Sequence, residues 1–271
     1  MDSFVHAVRN GVLIPSSEAT VPVTLREVQC NFSVYEAIRV IRGRVVHLPE
    51  HLQRLGYSAR SIGLVHPFTD SLIEKWIYDL IAADSIESST MRILIIGGAE
   101  PVLFITAAPI LEYPRSMYEQ GVACTVYYGE RFLPQCKTGN LLINYLALED
   151  AKRKGAFEAL LIDRQGCIRE GTRSNFYGFR DGVLHTAPLD MVLEGVTRRS
   201  ILRAASELGF PVREQAVRLA DLGAFDEVFI SSTSMAAMPV SRVEDLVFGP
   251  VHTRTLELCR IVRERESEEK A

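Results

Sequence analysis

The spacing of apolar residues changes period along this chain, and each change marks an element. The segment 34–46 is rich in Val, Ile and Tyr on either side of Arg42-Gly43, which predicts two strands and a tight turn. After Pro49, Leu52, Leu55, Ala59 and Ile62 recur at helical spacing, predicting a helix over 51–62 closed by Gly63. A second helix, over 71–83, starts with Ser71-x-x-Glu74 in the pattern of a capping box. Apolar runs at 91–96 and 102–107, joined by Gly97-Gly98, predict two further strands. The proline-flanked segment 109–114 interrupts the pattern and predicts a linker.

The second half opens with a strand at 122–128 and a helix over 141–154 that stops at Gly155. Two hairpins follow: 159–163 with 167–170 about Gly166, and 175–179 with 183–186 about Asp181-Gly182. A helix over 197–208 ends at Gly209, and a strand at 227–231 runs into Ser231-Ser232-Thr233-Ser234. The charged tail 263–270 predicts a frayed, solvated helix end. Strands and helices mix without a strict βαβ rhythm. The expectation is an α+β chain of two α/β domains: a small one over 1–113, a linker at 114–119 and a larger one over 120–271.

Composition narrows the function classes. The 271 residues are 47% hydrophobic, enough for a sizeable core, and the net charge of −4 leaves no electrostatic footprint for nucleic acid or an anionic membrane. The start, Met1-Asp2-Ser3-Phe4, lacks a basic segment and a long apolar one, so a secretory leader is not expected, and no apolar run is long enough to span a bilayer. Cys30, Cys124, Cys136, Cys167 and Cys259 are odd in number and free of C-x-x-C spacing, which predicts a reducing, cytoplasmic setting with neither disulfides nor a zinc site. Cys136 reads as a small buried residue. The six histidines show no metal-ligand spacing such as H-E-x-x-H, so no metal is expected.

Candidate chemistry begins with lysine. Only five of the 30 basic residues are Lys. Lys75, Lys152 and Lys154 fall on charged helix faces or ends and Lys270 in the tail, whereas Lys137 stands between Pro134-Gln135-Cys136 and an apolar run from Leu141. Partial loss of hydration favours the neutral, nucleophilic amine that Schiff-base chemistry needs; the plainer alternative is a snorkelling lysine at a helix start. Gly195-Val196-Thr197-Arg198 opens a predicted helix, where free N–H groups and the Thr197 hydroxyl suit an anion, against simple N-capping by Thr197. The cluster containing Ser232 and Thr233 offers similar donors, or is a polar loop. Glu170, at a strand end, could hold a proton on a heteroaromatic nitrogen, or pair at the surface with Arg169 or Arg173. Arg54 could grip a phosphate, or be a solvated helix arginine. Neither a P-loop nor G-x-G-x-x-G is present.

Taken in order, these segments resemble the class IV aminotransferases, the fold-type IV pyridoxal-phosphate enzymes, over roughly 34–240. The resemblance rests on Val34-Tyr35-Glu36-Ala37-Ile38-Arg39, His51-Leu52-Gln53-Arg54-Leu55, Lys137-x-x-Asn140-Leu141-Leu142 and Glu170-Gly171-x-x-Ser174-Asn175. It continues through Leu193-x-Gly195-Val196-Thr197-Arg198, the strand Asp226-Glu227-Val228-Phe229-Ile230-Ser231-Ser232-Thr233, and Met238-Pro239-Val240. It implies a D-amino-acid-aminotransferase-like fold with pyridoxal 5'-phosphate between a small N-terminal and a larger C-terminal domain. Lys137 would form the Schiff base and shuttle the proton, and Glu170 would pair with the pyridine nitrogen. Arg54, Val196, Thr197, Ser232 and Thr233 would hold the phosphate. Tyr35 and Arg92 would face the substrate, Tyr35 against the alternative of a core aromatic on a strand, and Arg92 taking a carboxylate where a solvent-facing strand arginine is the plainer reading.

The resemblance further implies a homodimer that moves an amino group between an amino acid and a 2-oxo acid such as 2-oxoglutarate. Thr90-Met91-Arg92 is similar to branched-chain members, though these typically have Tyr where Thr90 stands. Gly97-Gly98-Ala99-Glu100-Pro101 lacks the Arg and His by which D-amino-acid members grip the carboxylate, which favours a branched-chain type. Ala236-Ala237-Met238 is similar instead to aminodeoxychorismate lyases, which release pyruvate, and a non-catalytic cofactor-binding protein is the alternative of another class.

Overall fold

The computed structural model describes residues 4–268. Two units emerge among the described residues: 4–111 together with Cys136–Asn140, and Glu112–Gln135 together with Leu141–Glu268.

The first unit is a six-stranded sheet backed by helices. Its elements are β1 (His6–Arg9), β2 (Val12–Pro15), α1 (Arg26–Gln29), β3 (Ser33–Ile41), β4 (Arg44–Val45), α2 (Leu48–Ser61), α3 (Asp70–Ala83), β5 (Ser88–Ile96) and β6 (Val102–Ala108). The strand order is β2-β1-β6-β5-β3-β4, every pair antiparallel. The turn after β3 is tight because Arg42 and Gly43 both take positive φ, +53° and +72°. Alternation along β3 sends Val34, Glu36, Ile38 and Val40 to one face, where the apolar three pack with Leu52 and Leu55 of α2 and Ile73 and Ile77 of α3. Tyr35 points from the opposite face. The expected capping box at Ser71 is not the one used. Thr69 caps α3, accepting from Leu72 N–H at 3.3 Å, and the helix starts at Asp70, because Thr69 takes the extended backbone that a cap requires. The β1–β2 hairpin escaped the sequence reading, as four-residue strands carry little periodicity.

The second unit holds α4 (Arg115–Gln120), β7 (Val122–Tyr128), α5 (Leu142–Arg153), β8 (Glu158–Ile162), β9 (Cys167–Gly171), β10 (Asn175–Arg180) and β11 (Val183–Thr186). It continues with α6 (Val196–Glu207), β12 (Val212–Glu214), β13 (Val217–Arg218), β14 (Glu227–Ser232), β15 (Ala236–Val243), β16 (Leu246–Val247) and α7 (Thr253–Glu268). Its sheet runs β12-β11-β10-β14-β15-β7-β8-β9-β13, and a further pairing of Asn175 with Glu170 joins β10 to β9, closing six strands into a ring. One face of the ring strands carries Cys124, Leu160, Phe176, Ile230 and Met238 into a single core. The other carries Tyr177, Phe179 and Phe229 against α6 and α7. The strand end with Glu170 and the strand start with Asn175 therefore meet where the ring closes.

Two expectations need correction here. The segment expected as a linker, 114–119, is mostly helix α4. Pro114 stands at its N-terminus, where a missing N–H costs nothing, and Tyr118 Oη donates to the Met235 carbonyl at 3.1 Å. The tail expected to be solvated is, up to Glu268, the end of α7, with Leu258, Cys259, Val262 and Glu266 buried; Lys270 lies outside the described residues. Charged residues at the intervening positions masked that stripe. Glu227 organises the start of α7, accepting from Thr255 N–H at 3.1 Å, Thr255 Oγ1 at 3.0 Å and Arg254 Nε at 2.9 Å. Among the described residues no helix is long and apolar enough to cross a membrane.

Candidate active site

Lys137 sits on a segment that the first unit captures by main-chain bonds. β4 covers only the Val40–Ile41 end of β3, which leaves the edge at Ser33–Tyr35 open. Cys136–Asn140 fills it: Thr138 bridges antiparallel to Val34, Tyr35 N–H donates to the Lys137 carbonyl at 3.1 Å, and Gly139 N–H donates to the Ser33 carbonyl at 2.9 Å. Gly139 is needed there, since a Cβ would lie 2.2 Å from Ser33 Oγ. Ser58 of α2 fixes the approach by accepting from Lys137 N–H at 3.0 Å. The backbone is thus fixed around a side chain whose Nζ lies 4.5 Å from the centre of the Tyr35 ring. Arg92, one strand over on β5, brings its guanidinium carbon 5.3 Å from the same ring. Tyr35 gathers an amine and a guanidinium within a few ångströms of one aromatic face or edge. Arg92 is solvent-exposed, as the plainer reading had it, but it is not a free strand arginine.

Arg54 is the reverse of a solvated helix arginine: it is 6% exposed. It forms a fork on Glu36, Nε to Oε1 at 2.7 Å and Nη2 to Oε2 at 2.7 Å. His51, one turn earlier on α2, places Nδ1 2.7 Å from the same Oε2. Glu36 is 0% and His51 1% exposed. Burial alone would push the Glu36 carboxyl up; Arg54 and His51 more than reverse this and hold it well below the usual carboxylate range. Burial lowers the proton affinity of His51, and Glu36 only partly restores it, so the ring is neutral near pH 7. An ionised Glu36 can only accept, which assigns the His51 proton to Nδ1. The sequence pattern alone assigns no function to Glu36 or His51. The available signal was an acid on a predicted core-facing strand position, with no other reason to be there.

A second cluster lies in the other unit. Glu170, at the end of β9, is 5% exposed. Its Oε1 accepts from Arg131 Nη1 at 3.2 Å and its Oε2 from Leu193 N–H at 3.2 Å. The surface pairing with Arg169 or Arg173 does not form. Arg169 is its strand neighbour and points to the opposite face, 2.5 Å from Asp163, while Arg173 Nε lies 3.6 Å from Glu158. Arg131 is a partner that the sequence reading did not identify.

The start of α6 is also not as a simple cap would make it. Gly195 occupies the N-cap position and no side chain caps the helix, so Thr197 lies inside the first turn, buried, with Val196 before it. First-turn N–H groups without a side-chain cap, at the positive end of a twelve-residue helix, suit an anion. Asn175 props the approach, donating to the Leu193 carbonyl at 2.9 Å, and its Oδ1 would lie 2.3 Å from a Cβ on Gly195. Ser232 ends β14, and with Thr233 it enters the turn to β15, where Ser232 Oγ and Ser234 Oγ are 3.1 Å apart. Among the described residues no group of three or more His, Cys, Asp or Glu is arranged to hold a metal ion.

Residues 33–243 match the family described as amino-transferase class IV. The D-alanine aminotransferase of Bacillus licheniformis is 31% identical over 253 residues, 89% of this chain and 89% of that protein. A putative branched-chain-amino-acid aminotransferase of Methanocaldococcus jannaschii is 29% identical over 257 residues, 89% and 88% of the two chains. The crystal structure of the branched-chain aminotransferase of Thermoproteus uzoniensis with norvaline superposes with a TM-score of 0.89 at 26% identity, covering 98% of this chain and 96% of that one. The T.th. branched-chain amino acid aminotransferase with pyridoxamine 5'-phosphate reaches 0.91 at 26% identity, covering 98% and 95%.

Proposed function

We propose, for a chain that belongs to the class IV aminotransferase family and is an enzyme of it, that its substrates are a branched-chain amino acid and a 2-oxo acid such as 2-oxoglutarate. Class IV aminotransferases use pyridoxal phosphate. When bound, that group supplies the electron sink that delocalises the charge left by breaking a substrate Cα–H bond. The residues here fit a group with an aldehyde, a phosphate and a basic ring nitrogen. The α6 terminus lacks a side-chain cap, a Cβ on Gly195 would fill the approach to it, and Glu170 is a buried carboxylate. A carboxylate oxygen can accept more than one hydrogen bond, so Glu170 suits a protonated ring nitrogen as well as the donors it meets here.

The residues then divide the work. The Lys137 amine would hold the cofactor at its aldehyde and, once displaced there by the substrate amine, would be the base that carries the proton to and from the substrate Cα. Arg54, the Val196 and Thr197 amides with the Thr197 hydroxyl, and Ser232 with Thr233 would hold the phosphate. Arg92 takes a substrate carboxylate, and Tyr35 orients Lys137 and Arg92. The observation that carries the reading is the pairing of Lys137 and Arg92 on the one Tyr35 ring, an amine beside a guanidinium. The branched-chain assignment draws on the structural relatives and on the turn between β5 and β6, which is Gly97-Gly98-Ala99-Glu100-Pro101 without Arg or His. The reading includes a homodimer and a cytoplasmic setting, the latter in keeping with five free cysteine thiols.

The test is the visible absorbance of the pyridoxal-phosphate-loaded protein with a panel of L- and D-amino acids. Bleaching by L-valine, L-leucine or L-isoleucine, and its reversal by 2-oxoglutarate, is the expected result. Bleaching by D-alanine alone would replace the branched-chain substrate with the one named for the Bacillus relative. No bleaching by any amino acid would favour the lyase or an idle binder. In the same protein Gly195→Ala is expected to weaken cofactor affinity about tenfold, roughly 1.4 kcal/mol, by forcing Asn175 off the Leu193 carbonyl. An unchanged dissociation constant would remove the α6 approach from the site.

A further inference from the structure

Arg131 is a buried cation whose job is not explained by the parts assigned so far. It is 8% exposed and lies in the segment after β7. Its Nη1 donates to Glu170 Oε1 at 3.2 Å and to the Pro134 carbonyl at 3.1 Å, so the guanidinium is held from its own loop while it faces the carboxylate. That loop is tied down again by Gln135 Nε2, which donates to the Asp190 carbonyl at 2.8 Å. Glu170 is fixed on its other oxygen by Leu193 N–H, a backbone group that Asn175 positions through the Leu193 carbonyl. The carboxylate is therefore held by a charged donor on one oxygen and a neutral one on the other, with both ionic partners out of water.

This arrangement bears on where a proton rests. A buried carboxyl with a basic nitrogen beside it has two neutralising options. It can stay ionised against a protonated ring, or take the proton itself and leave the ring neutral. Desolvation favours the second, and an adjacent cation favours the first. Only the first keeps the ring electron-poor. We propose that Arg131 is a positioning residue for the ring-nitrogen partner, orienting the Glu170 carboxylate and keeping it ionised. The inference rests on the reading of Glu170 given above and extends it to a residue that does not touch the cofactor.

The experiment is nitrogen-15 NMR of the protein loaded with pyridoxal phosphate labelled at the ring nitrogen, in wild type, Arg131→Met, Arg131→Lys and Glu170→Gln. In wild type the resonance should stand at the pyridinium position. Arg131→Met should move it towards neutral pyridine, as Glu170→Gln does, and Arg131→Lys, which keeps a cation, should restore most of the wild-type position. A merely structural role would alter thermal stability without moving this signal. If Arg131→Met does not fold, Arg131→Gln, which keeps a donor without charge, carries the test with the same two outcomes. A resonance that stays at the pyridinium position in the Arg131 variants but moves in Glu170→Gln overturns the proposal and leaves the role of Glu170 standing. A resonance unmoved in both overturns the role of Glu170 and the proposal with it.

Discussion

Lys137→Ala is expected to remove the visible absorbance that the wild-type protein develops with pyridoxal phosphate, and with it nearly all turnover. Losing the proton carrier alone costs about 10²- to 10⁴-fold, and losing the covalent attachment adds to that. The fold should survive. The bonds that hold this segment are main-chain: Lys137 N–H to Ser58 Oγ, the Lys137 carbonyl to Tyr35 N–H, and Gly139 N–H to the Ser33 carbonyl. The side chain adds its approach to the Tyr35 ring, a contact worth about 0.5–1 kcal/mol where exposed. Lys137→Arg sharpens the result. It keeps a cation for the ring but has no amine that can be deprotonated, so it should be as inactive as the alanine variant. Turnover in Lys137→Arg close to wild type would reduce Lys137 to an electrostatic role. Substantial turnover in Lys137→Ala would remove it from the chemistry.

How much of this was legible in the sequence depended on range. Local signals held: Arg42-Gly43 makes its turn, Gly63 and Gly155 follow helix ends with positive φ, and Gly195-Val196-Thr197 opens a helix. The order of motifs was enough for the family, because that requires only which residues occur and in what sequence. Partners were not legible. Arg54 and Glu36 are 18 positions apart and Arg131 and Glu170 are 39, so no periodicity links them. The sequence offered nearby partners instead, Arg169 and Arg173 for Glu170, and strand alternation excludes Arg169. The charged end of α7 misled in a similar way, since Glu266 is buried against Arg263 at 2.7 Å and is not a solvated tail residue.

Replacing Glu36 by Ala should cost more stability than any other single change in the first unit's polar residues. It leaves Arg54 buried without its carboxylate, and breaking a buried ion pair from one side costs about 3–5 kcal/mol. Trp76, the only tryptophan, lies in α3 of this unit, so its fluorescence during denaturation reports the loss directly. Removing both partners, Glu36→Ala with Arg54→Met, should be less destabilising than Glu36→Ala alone, because the stranded charge goes too. A double variant as unstable as the sum of the singles would show that the pair is packing and not electrostatics. Cofactor retention separates the second role. With Arg54 proposed as a phosphate donor, Arg54→Ala should weaken it, and Glu36→Ala should weaken it as well by freeing the fork that holds Arg54. Unchanged cofactor affinity in Arg54→Ala would take Arg54 out of the phosphate site. Acid should find the same weak point. Glu36 stays ionised in the folded state below its ordinary value of 4.5, so its contribution is whole above that pH and drains as pH falls below it. His51 resists protonation in the folded state, so the unfolded chain gains a proton first, and stability starts to fall below the ordinary value of 6.5. His66, His185 and His252, also lowered by burial, add to that slope. His51→Gln should therefore flatten the loss between about pH 6.5 and 4.5 without abolishing it. A slope identical to wild type in that window would mean that His51 changes its protonation no more on unfolding than an exposed histidine does.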